Sequence, residues 1–323
     1  MKINLFLVII VLVAAFSGCS LSKTKTTLTT HKTQLIPVAD SVRLEVLDWS
    51  GEGQPLVFLT GFGNTAHVFD EFAPKFTNQY HVYAITRRGF GQSSKPKTGY
   101  DMGTLAHDIL IVLDSLHVSK ALLVGHSIAG DEMSKFASSY PDRVSKLVYL
   151  DAAYDRSNLL QLFAKLPPQP TPTAKDSASV ANFSRGIEEV MGVPMPAEEI
   201  RETAVFSKEG KYLRDVTPEF VFPATLSKLE RPDYRHIYCP ALAIYARHST
   251  VRSDFPCYDR FDSTDRKKAI AAFPMMTKFT ADQENLFRKE VAKGTVTGIK
   301  DANHYVFISH PAETEKLIRD FLK

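Results

Sequence analysis

Ser127 is the residue of this chain best placed to do chemistry. It follows the apolar run Leu122-Leu123-Val124, and Gly125-His126-Ser127-Ile128-Ala129-Gly130 is read as a Gly-x-Ser-x-Gly turn with Gly125 and Gly130 as its glycines. A strand turning sharply into a helix holds such a serine with its hydroxyl exposed, and glycine is expected where a side chain would collide with neighbouring backbone. A β-rich run from Lys120 to Val124 precedes the turn, and Met133, Phe136, Ala137 and Tyr140 follow at helical spacing. A serine hydroxyl is a poor nucleophile until a base takes its proton, so the chain must also supply a histidine. Of ten histidines, His304 has the right place. It lies in Asp301-Ala302-Asn303-His304-Tyr305, after the last strand-like run and before the last helix, on the rim that the Ser127 turn faces. His126 is expected to point away from the nucleophile and pack beneath it. His67, His107, His117 and His310 fall on helices or turns, where structural or solvent-facing roles are expected.

The elements that must position these residues alternate between short β-like runs and helical patterns from Gln34 onward, the signature of an α/β architecture with a largely parallel sheet. Val42 to Trp49, Pro55 to Leu59 and His81 to Thr86 read as strands, and His67 to Phe76 as a helix. Leu105, Ile109, Val112, Leu113 and Leu116 mark another helix with Thr104 as its N-cap, and Leu147 to Leu150 is a further strand. The alternation breaks at about 155–235, where Pro167, Pro168, Pro170 and Pro172 precede weakly amphipathic segments. This stretch reads as an ordered lid inserted between two strands, since Val190, Met191, Val205, Phe206 and Phe220 to Phe222 give it apolar groups to bury. The core pattern resumes at Ala241 to Ala246, continues through a long helical region to a strand near Val296 to Ile299, and ends in a helix that starts at Pro311.

The chain has 323 residues, enough for one large α/β domain, and its 44% hydrophobic and 23% charged content is that of a soluble globular protein. A dispersed net charge of +3 gives no argument for nucleic acid. The three cysteines, Cys19, Cys239 and Cys257, lie far apart and show no metal-ligand spacing with histidine, so neither metal nor cofactor is expected. Lys2 and the apolar run Leu5 to Phe16 have the length of a signal-peptide core. The run closes on Phe16-Ser17-Gly18-Cys19, which resembles the lipobox of bacterial lipoproteins with Phe16 where leucine is usual. That resemblance implies a signal peptide over 1–18, lipid on Cys19, membrane anchoring and a place in the bacterial cell envelope. Residues 19–33, rich in Thr, Lys and Ser, read as a tether. Cys239 and Cys257 then remain either as a disulfide or as two unpaired thiols. Nothing in the sequence sets the oligomeric state.

Over residues 34–323 the order of elements resembles the α/β-hydrolase superfamily. Four segments carry the resemblance: TGFGNTAHVFDEFAPKF, RRGFGQSS, LLVGHSIAG and DANHYVFISHP. The first is similar to the family's His-Gly-x-Gly segment with Thr60 in place of histidine, and implies that the backbone N–H groups of Phe62 and Ile128 form an oxyanion hole. The second is similar to an Asp-x-Arg-Gly-x-Gly-x-Ser turn with Thr86 in place of aspartate, and reads as structural support for the elbow. Most of the family places its catalytic acid after the strand that here ends at Ala246, yet Ser249 stands where that carboxylate is expected. Some branches place the acid after the strand that follows the nucleophile helix. Asp151 at that strand end is therefore the preferred acid, Asp254 is the alternative, and Asp155 and Asp301 are lesser candidates.

These features imply a serine hydrolase that cleaves an ester or related acyl bond of a small-molecule substrate through an acyl-enzyme. A peptidase similar to proline iminopeptidases is the second reading, with Glu188, Glu189, Glu198 or Glu199 holding a free amino group. A non-catalytic surface binding protein on the same fold is the third, favoured only by the departures at Thr60, Thr86 and Ser249.

Overall fold

The computed structural model describes residues 30–323. Cys19, the signal peptide and most of the tether lie outside the described residues. The tether reading ends two residues late, because Lys32 and Thr33 already belong to β1 (Lys32–Ala39). That strand pairs antiparallel with β2 (Val42–Ser50), which pairs antiparallel with β4 (Tyr80–Ile85).

Beyond this edge the sheet is parallel. Its order is β1-β2-β4-β3-β5-β6-β9-β10, with β3 at Gln54–Leu59, β5 at Ala121–His126 and β6 at Val144–Leu150. Strand β9 covers Ala241–Arg247 and β10 covers Gly294–Lys300. The β5 strand sits centrally, with Leu56 opposite Leu122 on one side and Leu147 opposite Leu123 on the other. Its residues are buried on both faces, as expected for a parallel strand covered above and below. Leu122 and Val124 pack on one face, and Ala121 and Leu123 on the other, following the two-residue period of a strand.

Helix α1 (Met102–Ser115) is capped by Asp101, whose carboxylate accepts from the Thr104 N–H; Thr104 is the third residue of the helix and not its cap. The segment read as a helix over His67 to Phe76 forms two short 3₁₀ turns, Ala66–Phe69 and Ala73–Phe76, with Pro74 opening the second. Helix α2 (Ala129–Ser139) leaves directly from the Ser127 turn.

The insertion between β6 and β9 is ordered and built from small elements. These are α3 (Leu159–Phe163), α4 (Val180–Met191), α5 (Ala197–Thr203), the antiparallel hairpin β7 (Ala204–Phe206) and β8 (Tyr212–Asp215), and α6 (Val221–Leu226). After β9 come α7 (Val251–Asp254) and the long α8 (Ser263–Glu290), then β10, the short α9 (Val306–Ser309) and α10 (Pro311–Leu322). Cys239 and Cys257 form no disulfide among the described residues, and they pack with hydrophobic clusters on opposite faces of the sheet. No helix among the described residues is long and apolar enough to cross a membrane.

Candidate active site

The C-terminal ends of β5, β6, β9 and β10 form one rim, and the residues singled out in the sequence lie along it. Ser127 follows β5 with φ at 54°, a left-handed conformation that a non-glycine residue adopts only when its surroundings impose it. Its N–H donates to the Leu150 carbonyl of the neighbouring strand at 3.3 Å, which holds the turn against β6. The turn departs from the Gly-x-Ser-x-Gly reading in one respect: its fifth position is Ala129, fully buried, and Gly130 follows one place later. A Cβ at Gly130 would fall on the Ala152 carbonyl oxygen, so this glycine lets α2 lie against the backbone after β6. At Gly125 the neighbour is a side chain and not backbone, with Met133 Sδ and Cε each 2.8 Å from the position a Cβ would take.

His304 and Asp151 are brought together. His304 Nδ1–H donates to Asp151 Oδ2 at 2.6 Å. The other carboxylate oxygen, Oδ1, accepts from Tyr154 Oη–H at 2.6 Å and from the Ala246 N–H at 3.1 Å. Asp151 is buried, and burial alone would raise its pKa. The bond from His304, the nearby His304 charge and the two further donors outweigh that, and hold the carboxyl below its ordinary value. Asp151 itself has φ at 45°, a second imposed backbone conformation on the same rim. Asp254 does not reach His304. It lies on α7 with Oδ1 3.8 Å from His248 Nε2, and its Oδ2 has no hydrogen-bond partner among the described residues. Burial, with the charge of Asp151 adding to it, pushes Asp254 up to about 7.

Ser249 fills the position where most of the family carries an acid, and it does structural work there. Its N–H and hydroxyl both donate to Asp301 Oδ1, tying the loop after β9 to the start of the His304 loop. Asp301 is thereby occupied. Asp155 accepts from the N–H and hydroxyl of Ser157, away from His304.

His126 is buried as expected, but it faces the histidine loop. Its Nε2–H donates to the His304 carbonyl at 3.1 Å, and its ring lies against His304, Tyr305 and Phe307. Burial, reinforced by the neighbouring His304, lowers its pKa well below the ordinary value and keeps it neutral.

The backbone N–H groups of Phe62 and Ile128 make no hydrogen bond to protein groups among the described residues. The Phe62 segment is held from two sides that the sequence did not reveal. Arg87 donates to the Thr60 carbonyl at 2.7 Å and to the Gly61 carbonyl at 3.4 Å while pairing with buried Glu132 on α2. From the lid, Glu199 on α5 accepts from Asn64 Nδ2 at 2.9 Å and from the N–H and hydroxyl of Thr65. Burial, only partly offset by these donors, raises Glu199 to about 7. Thr86 bridges the same region, donating to Glu45 and accepting from the Ala66 N–H. Arg88 forks onto Asp108 with two bonds of 2.6 Å, fixing the turn after β4 on α1.

The Phe62 ring packs edge-on against Phe222 of α6 at 5.0 Å and against Phe90 at 5.8 Å, beside Val221 and Phe220. An apolar wall, built by Phe90 together with the lid residues Phe220, Val221 and Phe222, therefore stands beside the Phe62 side chain. A separate cavity of about 340 Å³ is lined by Ala246, His248, Asp254, Met276, Thr280 and Arg288.

Comparison with known proteins agrees with this architecture. The chain is 26% identical over 207 residues to the 2-(acetamidomethylene)succinate hydrolase of Mesorhizobium japonicum, spanning 63% of this chain and 74% of that one. It is 24% identical over 283 residues to the zebrafish (Danio rerio) sn-1-specific diacylglycerol lipase ABHD11, spanning 86% and 81%. A non-heme chloroperoxidase of Streptomyces lividans is 34% identical over 120 residues, a match that covers 36% of this chain and only 44% of the relative. Among solved structures, an E-2-(acetamidomethylene)succinate hydrolase superposes with a TM-score of 0.65 at 21% identity, covering 90% of this chain and 99% of that one. A family profile described as alpha/beta hydrolase fold matches residues 54–250. With that profile over more than half its length, and a mostly parallel sheet flanked by helices and interrupted by a lid, this chain belongs to the α/β-hydrolase fold family.

Proposed function

We propose that this protein is a serine hydrolase that cleaves an ester or related acyl bond through an acyl-enzyme, with Ser127 as nucleophile, His304 as base and Asp151 as the acid that orients it. The observation that carries this reading is the 2.6 Å bond from His304 Nδ1 to Asp151 Oδ2. That bond fixes the proton on Nδ1 and leaves Nε2 free to accept one from Ser127. Ser127 Oγ makes no hydrogen bond to His304 in this conformation; such contacts are often loose before substrate is bound.

In the proposed sequence, Ser127 Oγ attacks the substrate carbonyl carbon as its proton passes to His304 Nε2. The Phe62 and Ile128 N–H groups, unengaged among the described residues, then hold the oxyanion. The tetrahedral species collapses by breaking the bond to the leaving oxygen, which takes the proton from His304. Water then adds to the acyl-enzyme, giving its proton to His304. Collapse of the second tetrahedral species breaks the Ser127–acyl bond, returns the proton to Ser127 Oγ and releases the acid. The phenylalanine wall beside Phe62 favours an apolar acyl or alcohol group.

Two of the four glutamates that the peptidase reading calls on are already committed within the protein. Glu199 commits both oxygens to Asn64 and Thr65, and Glu198 pairs with Arg201 at 2.7 Å. We also place the protein in a bacterial cell envelope, anchored through lipid on Cys19, on the strength of the N-terminal sequence alone.

The decisive experiment is labelling with a fluorophosphonate probe, comparing the wild type with Ser127→Ala. Labelling that depends on Ser127 is the expected result; absence of labelling in the wild type, or labelling that survives the substitution, overturns the proposal.

A further inference from the structure

A second cluster of chemistry-bearing side chains lies away from the Ser127 rim. His31 stands immediately before β1, His67 lies on the 3₁₀ turn that follows the Phe62 segment, and Asp70 caps the end of that turn. One ligand atom from each of these three residues falls within 4.8 Å of the other two. The two imidazole rings are 5.2 Å apart, and His31 is steadied by an edge contact with Trp49 at 5.3 Å. His31 Nδ1 is 3.4 Å from Thr33 Oγ1, which leaves Nε2 to face Asp70 Oδ1 at 3.8 Å. That carboxylate oxygen is buried and has no hydrogen-bond partner among the described residues, a costly state for a polar atom unless something else satisfies it.

His67 is arranged like a metal ligand with an outer carboxylate. Its Nδ1 faces Asp70 Oδ2 at 2.9 Å, while its Nε2 faces Glu45 Oε1 at 3.8 Å on the opposite edge of the ring. Glu45 is almost fully buried, and its other oxygen accepts from Thr86. Ligating histidines commonly direct their second nitrogen to a carboxylate in this way, which fixes the ring and strengthens the donor nitrogen.

We propose that His31, His67 and Asp70 form a binding site for a divalent first-row transition ion of the Zn²⁺ type. Two imidazole nitrogens and one carboxylate oxygen suit such an ion better than Mg²⁺ or Ca²⁺, which prefer oxygen donors. The ion takes the place of the proton that His67 Nδ1 shares with Asp70 and engages Asp70 Oδ1, with water completing the shell. Closing the ligand atoms onto bonds of about 2.0–2.2 Å requires only a modest approach of the side chains. The site fastens the start of β1, where residues 1–29 join the body, to the turn beside the Phe62 segment. Its partners come from separate segments of the chain, so no sequence spacing announces it.

The test is titration of the full chain, stripped of metal by chelator dialysis, with Zn²⁺ in competition with a chromophoric indicator, alongside Co²⁺ absorption. The expected result is one Zn²⁺ per chain, with affinity reduced at least about tenfold in both His31→Ala and Asp70→Asn. Visible Co²⁺ ligand-field bands are expected in the wild type and lost in His31→Ala. His31 is only partly buried, so His31→Ala should keep the metal-free melting temperature of the wild type. A wild type that binds no stoichiometric Zn²⁺, or a His31→Ala protein that binds it with unchanged affinity, overturns the proposal. Neither readout depends on hydrolase activity.

Discussion

His304 Nδ1 lies 2.6 Å from Asp151 Oδ2, while Asp254, the other carboxylate considered as its partner, has Oδ1 3.8 Å from His248 and no contact with His304. The two aspartates therefore make opposite predictions. Asp151→Asn should lower kcat/KM for a chromogenic short-chain ester by about 10³–10⁴-fold, because an amide no longer selects the tautomer that leaves Nε2 free. Asp254→Asn should cost less than about tenfold. Equal losses in the two variants would remove Asp151 from the triad.

Arg87 joins the Thr60 and Gly61 carbonyls to Glu132 inside the protein. Arg87→Ala leaves the Glu132 carboxylate buried without its partner. The expected loss is about 3–5 kcal/mol in urea unfolding, the usual penalty for breaking one side of a buried pair. A loss below about 1 kcal/mol, the range of exposed pairs, would show that Glu132 finds water or another donor.

Glu199 couples the lid to the Phe62 segment, and its pKa is raised from the ordinary value of 4.5 to about 7, chiefly by burial. A carboxyl whose pKa is higher in the folded chain binds more protons there than in the unfolded chain between those two values. Stability therefore falls as pH rises from about 4.5 through 7, and the penalty is complete above that range. Its full size is at most on the order of 3 kcal/mol. Glu199→Gln should flatten this component, so that its melting temperature declines less than that of the wild type between pH 5 and pH 8 (roughly the window of the shift). Parallel melting curves for the two proteins would refute the assignment.

Gly130 leaves no room for a side chain, because a Cβ would fall on the Ala152 carbonyl oxygen. Backbone cannot move aside as a flexible side chain does, so Gly130→Ala should cost at least the upper part of the usual overpacking range, about 3 kcal/mol. Gly125→Ala meets the Met133 thioether and should cost less. Thermal melts of both variants check this order.

Intact-mass and peptide mass spectrometry of the protein from bacterial membranes should find a diacylglyceryl-modified Cys19 at the mature N-terminus. An N-terminus upstream of Cys19, or an unmodified cysteine, would remove the anchor.

Much of the fold was legible because local periodicity carries it. The alternation that opens Val42 to Trp49 and the helical spacing from Leu105 to Leu116 become β2 and α1, although β2 is buried on both faces, with Val42, Leu44 and Val46 on one and Leu47 and Trp49 on the other. The 3₁₀ turns over Ala66 to Phe76 were misread as one helix, since His67, Phe69, Phe72 and Phe76 are buried by the sheet and not by a helical stripe of their own. Thr104 was misplaced as a cap because Asp101, three residues earlier, supplies the accepting carboxylate.

Ser127 and His304 were marked by sequence alone, one by its turn and one by its place after the last strand, both of which are local properties. The candidate acid was only narrowed to Asp151 ahead of Asp254, because the choice depends on which carboxylate meets a ring 153 residues away, from the end of β6 to the end of β10 with β9 between them. The same holds for Glu199 against Thr65, Arg87 against Glu132, and the separation of Cys239 from Cys257 by the sheet. Residue order sets which elements form. Only their packing sets which polar groups are buried together and must satisfy one another.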